Sequence, residues 1–368
     1  PTSTGANEQM NNQNDYNDNK KITYHEQTDI SNILKLREVL KTLPPFCRDY
    51  FRAMDPVTTT NTRISYAYDI RIFFQFLLDE NPAFKNYSLK DFTVDVLDQL
   101  KAVDIEEYLE YLKVYKNGDK TETNGERGMK RKLSALRSFY AYYFKHEFIK
   151  TNPTVLVDVP KIHDKSIIRL DSDEVALLLD HIEHCGDELT GQKRAYYEKT
   201  KERDLAIVTL LLGTGIRVSE CVGLDVENID FKNNGIKITR KGGNEMVVYF
   251  GSEVERALRQ YLTVREGVTP VTGHEHALFY STQRKRIGIQ AVENLVKKYA
   301  RAITTTKKIT PHKLRSTYGT ALYQETGDIY LVADVLGHRD VNTTKKHYAA
   351  MDDARRRKAA SAVHLRED

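Results

Sequence analysis

The 368-residue chain has few cysteines and no long hydrophobic run, and each scarcity excludes classes of protein. Cys47, Cys185 and Cys221 lie far apart and form no CxxC pair, which argues against a disulfide framework or a zinc site. No run of about 18 apolar residues occurs, so we predict no membrane span. The Asn-rich N-terminus has no apolar stretch after a basic one, so no secretory signal is predicted. We therefore expect a globular, cytoplasmic protein.

The chain also has little excess of either charge, since its formal net charge is only +4. Residues 1–165 carry 24 basic and 24 acidic side chains, whereas residues 166–368 carry 32 and 28. A surplus confined to one half is compatible with nucleic-acid binding. It is weak evidence alone, because many basic proteins have no DNA partner.

The length predicts two compact domains with tails. The spacing of apolar residues predicts that they are mainly α-helical, with a small β-sheet. We predict a flexible polar tail (1–29), a helical domain (30–150), a linker (151–168), a second domain (169–350) and a C-terminal tail (351–368). Apolar spacing predicts a helix from Ile30 and a second that starts near Thr58–Asn61 and runs to about Leu78. A helix at 104–115 is predicted to stop at Asn117-Gly118, and further helices are predicted at 126–147, 175–182, 205–212, 252–265, 289–303, 311–325, 328–336 and 340–349. Strands are predicted at 236–239 and 246–250, around a Gly242-Gly243 turn. The polar segment 186–201 resembles an insertion between two helices.

The predicted helix 126–147 carries a cationic face opposite its apolar face. Arg127, Lys130, Arg131 and Arg137 lie largely on that side, with Ser134 and Ser138 among them. Long cations mixed with small hydroxyls suit contacts to DNA phosphates. The alternative is an ordinary solvated face.

Five short motifs in residues 214–348 carry residues suited to phosphate chemistry. They are Thr214-Gly215-Ile216-Arg217-Val218-Ser219-Glu220, Arg240-Lys241-Gly242-Gly243, His312-Lys313-Leu314-Arg315, Leu336-Gly337-His338 and His347-Tyr348. Each motif taken alone is weak, because surface arginines, turn lysines and tyrosines are common. Together, in order and with this spacing, they resemble the catalytic set of the tyrosine recombinase (phage integrase) family.

The resemblance implies a site-specific recombinase that cleaves and rejoins DNA through a 3′-phosphotyrosyl intermediate at Tyr348. Arg217 and Arg315 would hold the phosphate oxygens, because each guanidinium offers a planar fork of donors. His312 would accept the phenolic proton or orient the phosphate, and His338 would add a hydrogen bond. Lys241 would donate a proton to the departing 5′ oxygen.

The resemblance also implies partners and an architecture. Residues 30–150 would bind DNA and, with the catalytic domain, form a C-shaped clamp. Four copies would assemble as a homo-tetramer on two double-stranded DNA sites, with an accessory directionality factor as a further partner. Integration or excision of a mobile element, or a related rearrangement at the bacterial nucleoid, would be the biological role. No metal or nucleotide cofactor is expected, because fixed cations neutralise the phosphate.

Several alternatives remain at this stage. Arg240 is adjacent to Lys241, so either could reach the leaving group. Glu220 is interpreted as a partner that holds Arg217 or the hairpin, and the alternative is a solvent-facing helical glutamate. A zinc site on His312, His338 and His347 is disfavoured, because their spacings fit no helical ligand pattern. A DNA-binding protein without catalysis and a type IB topoisomerase are the competing functions.

Overall fold

The structure, a computed structural model, describes residues 22–163, 167–240, 242–338, 340–342, 344, 345, 347 and 348. By its internal contacts the chain divides into two compact units, Pro1–Asp164 and Lys165–Asp368. The division falls inside the segment 151–168 that was predicted as a linker. Most of the predicted N-terminal tail, Lys241 and the predicted C-terminal tail lie outside the described residues.

Six α-helices and one hairpin are the main elements of the described part of the first unit. They are α1 (Tyr24–Lys41), α2 (Cys47–Ala53), α3 (Thr60–Glu80), α4 (Val96–Gln99), α5 (Ala102–Tyr111), β1 (Val114–Asn117), β2 (Lys120–Thr123) and α6 (Glu126–Lys145). Their shared core is rich in aromatic rings packed edge to face, with Phe139 meeting Tyr50 at 5.1 Å and Tyr143 at 5.0 Å between centroids.

The N-terminal helix begins earlier than expected. Residues 1–29 were predicted as a tail, but α1 starts at Tyr24. Thr23 accepts a hydrogen bond from the amide of Glu26 at 3.2 Å, and the Glu26 carboxylate accepts one from the amide of Thr23 at 2.7 Å. This capping box satisfies two free amides of the first turn, so the helix forms although its first residues are polar.

A β-hairpin replaces the end of the helix predicted at 104–115. Helix α5 stops at Tyr111, and β1 pairs with β2 in antiparallel register, with Asn117 opposite Lys120. Gly118 lies in the turn with φ +64°, a conformation that glycine adopts freely. The Asn117-Gly118 pair is therefore a hairpin turn, and its interpretation as a helix stop was wrong.

The second unit is also mainly helical and has one small sheet. Its described elements are α7 (Ser172–His184), α8 (Gly191–Thr214), α9 (Val218–Val222), β3 (Ile229–Asp230), β4 (Gly235–Thr239), β5 (Glu245–Tyr249), α10 (Ser252–Glu266), α11 (Ile289–Ile303), α12 (Pro311–Thr326) and α13 (Ile329–Leu336). The sheet is antiparallel, in the order β3-β4-β5. The mainly helical fold class with a small sheet is confirmed.

The polar segment 186–201 is not an insertion between helices, as had been predicted. Most of it is the first half of the 24-residue helix α8. Its Tyr197 is buried and donates a hydrogen bond to the carbonyl of Ile182 at 2.9 Å. Polar residues thus continue the helix because tertiary contacts fix it to α7.

A buried charge cluster holds the second half of α8 in place. The Arg203 guanidinium donates two hydrogen bonds to one oxygen of the neighbouring Asp204 carboxylate, at 3.0 and 2.7 Å. Tyr299 of α11 donates to the other oxygen at 2.9 Å. Every member of this cluster is satisfied, so it fixes the position of α8, whose C-terminal end leads into the candidate site.

Candidate active site

Arg217 lies at the start of α9, just after the turn that ends α8. That turn is made by Gly215, which has φ +65°. The Arg217 guanidinium donates to Glu220 at 2.8 Å, and its backbone amide donates to the same carboxylate at 2.7 Å. Glu220 is buried, whereas the Arg217 side chain is 36% exposed. The buried carboxylate therefore holds one edge of the guanidinium and leaves the rest facing solvent, so Glu220 is not a solvent-facing residue.

Arg315 is buried on α12 and connects two glycine turns. One nitrogen of its guanidinium donates to the carbonyl of Gly215, and another donates to the carbonyl of Leu336 at the end of α13. Burial, and then the nearby charge of Arg217, lower the pKa of Arg315 to about 10. The residue is still a cation at neutral pH, and the charge of Arg217 is near enough to act on it.

Two histidines approach this pair of arginines. His312 lies one turn before Arg315 on α12, and desolvation followed by the charges of Lys313 and Arg315 lowers its pKa. His338 follows Gly337, and its Nδ1 is 2.6 Å from the buried hydroxyl of Thr344. Desolvation and then the charge of Arg315 lower the pKa of His338 to about 4. At neutral pH the His338 ring is therefore uncharged.

Tyr348 is 4% exposed and packs in an apolar cluster with Tyr323, Val332 and Leu336. The rings of Tyr348 and Tyr323 lie 5.5 Å apart. The phenol oxygen lies directly against Gly319 of α12, where a β-carbon would overlap it. Burial raises the pKa of the phenol, while the charge of Arg315 acts in the opposite direction.

Two residues that contribute to the environment of Tyr348 were not predicted from the sequence. Gly319 lies one helical turn after Arg315, and this i,i+4 spacing was a signal that both face the same space. Arg169 precedes α7. Its charge, like that of Arg315, favours the phenolate form of Tyr348 and so opposes the rise in pKa that burial causes. Nothing in the local sequence pointed to Arg169, because its proximity to Tyr348 depends on how residues 167–171 pack.

Lys241 lies outside the described residues, but the residues on either side of it form a tight turn. The amide of Arg240 donates to the carbonyl of Asn244 at 2.7 Å, and Gly243 donates to the carbonyl of Arg240 at 3.0 Å. The Arg240 guanidinium donates to the carbonyl of Val335 at 2.6 Å. The end of the β4–β5 hairpin therefore reaches the turn that carries His338.

The predicted DNA-binding face of α6 has cations of two kinds. Arg127 and Lys130 are exposed. Arg131 forms an ion pair with the buried carboxylate of Asp69 and remains 46% exposed. Arg137 donates to the carbonyls of Thr154 and Val157, at 3.1 and 2.5 Å.

Arg137 is therefore not a free cation on that face. Both of its carbonyl partners belong to the predicted linker segment, so the side chain holds that segment against the first unit.

In the described parts of the chain, no group of three or more His, Cys, Asp or Glu side chains could hold a metal ion. None of the helices described above is long and apolar enough to cross a membrane. The expectation that no cofactor is needed stays a prediction.

Residues 169–355 match the Phage integrase family. The tyrosine recombinase XerC of Caldanaerobacter subterraneus subsp. tengcongensis is 32% identical over 348 residues, with 91% of each chain covered. The chain belongs to the phage integrase family. The tyrosine recombinase XerS of Lactococcus lactis subsp. cremoris is 31% identical, covering 86% of this chain and 93% of the relative. This phage integrase family member is thus a tyrosine recombinase, an enzyme of site-specific recombination.

Solved structures of family members share the fold. The XerH recombinase in its post-cleavage complex with a palindromic difH substrate aligns with a TM-score of 0.59 and 23% identity, covering 82% of this chain and 79% of that chain. The Tn1549 transposon integrase with circular intermediate DNA aligns with a TM-score of 0.59 and 21% identity, covering 82% and 94%. At these identities the likeness concerns the fold.

The low pKa of His338 predicts a pH-dependent contribution to stability. In the unfolded chain this histidine has an ordinary pKa near 6.5, so between about pH 6.5 and 4 the unfolded state binds the proton and the folded state does not. Folding stability is therefore complete above pH 6.5 and decreases as the pH falls. The free energy of unfolding of the wild type should fall between pH 7 and pH 5, and we expect this fall to be smaller by about 1–2 kcal/mol in His338→Asn.

The measurement is urea unfolding of wild type and His338→Asn at both pH values. The matched control is His184→Asn, at an exposed position on the last turn of α7. Equal pH-dependent losses in wild type and His338→Asn would contradict the prediction.

Proposed function

We propose that this enzyme cleaves and rejoins double-stranded DNA at specific sites through a covalent 3′-phosphotyrosyl bond to Tyr348. The observation that carries the proposal is the position of Arg315. Its two carbonyl contacts bring the turn before Arg217 and the turn before His338 to one guanidinium, and its charge also acts on Tyr348. A cluster of cations with a phenol beside it suits attack on a phosphodiester.

The chemistry divides among these residues as follows. Arg217 and Arg315 bind the non-bridging phosphate oxygens and stabilise the charge that develops in the transition state. The phenol oxygen of Tyr348 forms the new bond to phosphorus, and the bond to the 5′ oxygen breaks. His312 accepts the phenolic proton, Lys241 donates a proton to the 5′ oxygen, and His338 adds a hydrogen bond to the phosphate. Attack by a 5′ hydroxyl on the phosphotyrosine reverses these steps, so rejoining needs no nucleotide.

In this mechanism the deprotonation of Tyr348 accompanies its attack. The phenol is buried and its pKa lies above the ordinary value near 10, so phenolate is scarce at neutral pH. The low pKa of His312 keeps that ring neutral and able to accept a proton.

Four copies on two DNA sites, with an accessory directionality factor, are the partners that we propose. The phage integrase description of residues 169–355 favours integration or excision of a mobile element or a related rearrangement. The substrate of the enzyme would be nucleoid DNA in the cytoplasm. Incubating the enzyme with a library of nicked random duplexes and sequencing the covalent adducts would identify the sites.

The nucleophile is tested by removing one oxygen. Tyr348→Phe keeps the ring that packs against Tyr323, so we expect normal folding and site binding but no covalent DNA adduct. The measurement is a nicked suicide substrate on a denaturing gel. Tyr323→Phe is the matched control, because it removes the neighbouring hydroxyl and should still form the adduct. An adduct with Tyr348→Phe would show that another residue is the nucleophile.

The two arginines should respond differently to lysine. Arg217→Lys keeps a charge near Glu220 but loses the planar fork, so we expect cleavage to slow by roughly 10²–10³ with little change in melting temperature. Arg315→Lys cannot reach both the Gly215 and Leu336 carbonyls, so cleavage and melting temperature should both fall.

Single-turnover cleavage and thermal melting measure the two effects. Arg256→Lys, at an exposed position of α10, is the control and should change neither. Near wild-type cleavage by Arg217→Lys would remove that residue from the proposed clamp.

DNA affinity should depend on salt through the exposed cations Arg127 and Lys130 of α6. Replacing Arg127 and Lys130 together with Ala should reduce the slope of log K against log[salt] by about 1.8, or 0.9 for each lost phosphate contact. Arg137→Ala should leave the slope unchanged, because that guanidinium is bound to backbone carbonyls. Binding titrations at four salt concentrations measure the slopes. If the double variant keeps the wild-type slope, this face does not contact DNA.

A further inference from the structure

Arg240 makes a contact that none of the steps above uses. Its guanidinium lies directly on Gly337, and a β-carbon at position 337 would coincide with the Nη1 atom of Arg240. The Nη2 atom donates to the carbonyl of Val335 at 2.6 Å. Gly337 therefore serves two needs, because it also adopts φ +62° at the end of α13.

The end of α13 is held by two arginines from different parts of the chain. The amides of Gly337 and His338 bond the carbonyls of Asp334 and Ala333, respectively. Arg240 donates to the carbonyl of Val335, and Arg315 donates to that of Leu336. Cations at a helix C-terminus supply donors to its free carbonyls and interact favourably with the helix dipole.

The Arg240 contact positions the hairpin more than it stabilises the fold. The Nε and Nη1 atoms are buried, and neither has a hydrogen-bond partner among the residues that the structure describes. Burying unpaired donors is unfavourable and offsets much of the gain from the Val335 bond. What the contact does fix is the location of the hairpin end relative to Gly337.

Lys241 is bonded directly to the residue so held. Arg240 is the first residue of the turn that the Gly243 amide closes. Consecutive Cα atoms are about 3.8 Å apart, so a change in the position of Arg240 is passed on to the next residue of the chain.

We propose that Arg240 is a positioning residue, which docks the end of the β4–β5 hairpin on Gly337, and that the proton donation proposed for Lys241 depends on this docking. The inference rests on the proposed role of Lys241. Arg240 itself does not reach the leaving group, because its guanidinium is already engaged with Val335 and Gly337.

The test compares two leaving groups. One DNA substrate carries the normal 5′ oxygen at the cleaved bond, and the other carries a bridging 5′ sulfur. A thiolate leaves without a proton, because a thiol pKa is near 8.5. Loss of a general acid costs typically 10²–10⁴-fold with oxygen. We expect Arg240→Ala to slow cleavage of the oxygen substrate by roughly 10- to 100-fold and to approach the wild-type rate on the sulfur substrate.

The controls separate this inference from the function on which it rests. Lys241→Ala should also recover on sulfur, whereas Arg217→Lys should stay slow on both substrates. If Lys241→Ala fails to recover, its role as general acid is wrong. If Lys241→Ala recovers but Arg240→Ala does not, or if Arg240→Ala cleaves the oxygen substrate normally, the positioning role of Arg240 is overturned.

Two further variants test the contact if Arg240→Ala folds poorly. Arg240→Lys keeps one donor for Val335 and should restore part of the rate on oxygen. Gly337→Ala displaces the guanidinium, so adding Arg240→Ala to it should cause no further slowing. Multiplicative losses in the double variant would mean that the two residues act independently, against the proposal.

Discussion

The candidate site depends on one buried guanidinium bound to the ends of two helices. Arg315 donates to the carbonyl of Gly215, which ends α8, and to that of Leu336, which ends α13. Both helices stop at a glycine with positive φ, which leaves carbonyls that need donors. Because Arg217 follows the first glycine and His338 the second, the position of Arg315 sets the positions of both.

This arrangement buries cations and brings them together; burial lowers the pKa values most, and the neighbouring positive charges lower them further. The charge of Arg217 contributes to lowering the pKa of Arg315, and both charges contribute to lowering that of His338. Glu220 offsets part of the charge, since its buried carboxylate bonds Arg217. The protein thus bears the cost of bringing cations together before any substrate binds. A phosphate entering the site would relieve that repulsion, which is how preorganised charge favours a transition state.

Local sequence signals predicted much of the fold. The predictions were wrong where tertiary contacts determine the structure, and where a helix-capping signal was present but was not considered. The helices at 252–265, 289–303 and 311–325 were predicted within one residue at each end, because apolar periodicity, glycine and proline mark them. The capping box at Thr23 was present in the sequence and was overlooked. The polar first half of α8 is different, since its helix is held by contacts such as the Tyr197 bond to α7. No local pattern carries that information.

The sequence by itself determined the family of this protein and its proposed catalytic residues, because the motifs around Arg217, Arg315, His338 and Tyr348 are local and ordered along the chain. Which cations are free was decided only by the tertiary structure. Arg127 and Arg137 are both arginines on the same predicted face of one helix. Among the described contacts, however, only Arg137 is bonded to backbone carbonyls of the linker segment. The Arg315–Gly215 contact likewise joins residues 100 positions apart. Hydrogen bonds of this kind depend on folded distance, which a pattern of neighbouring residues does not encode.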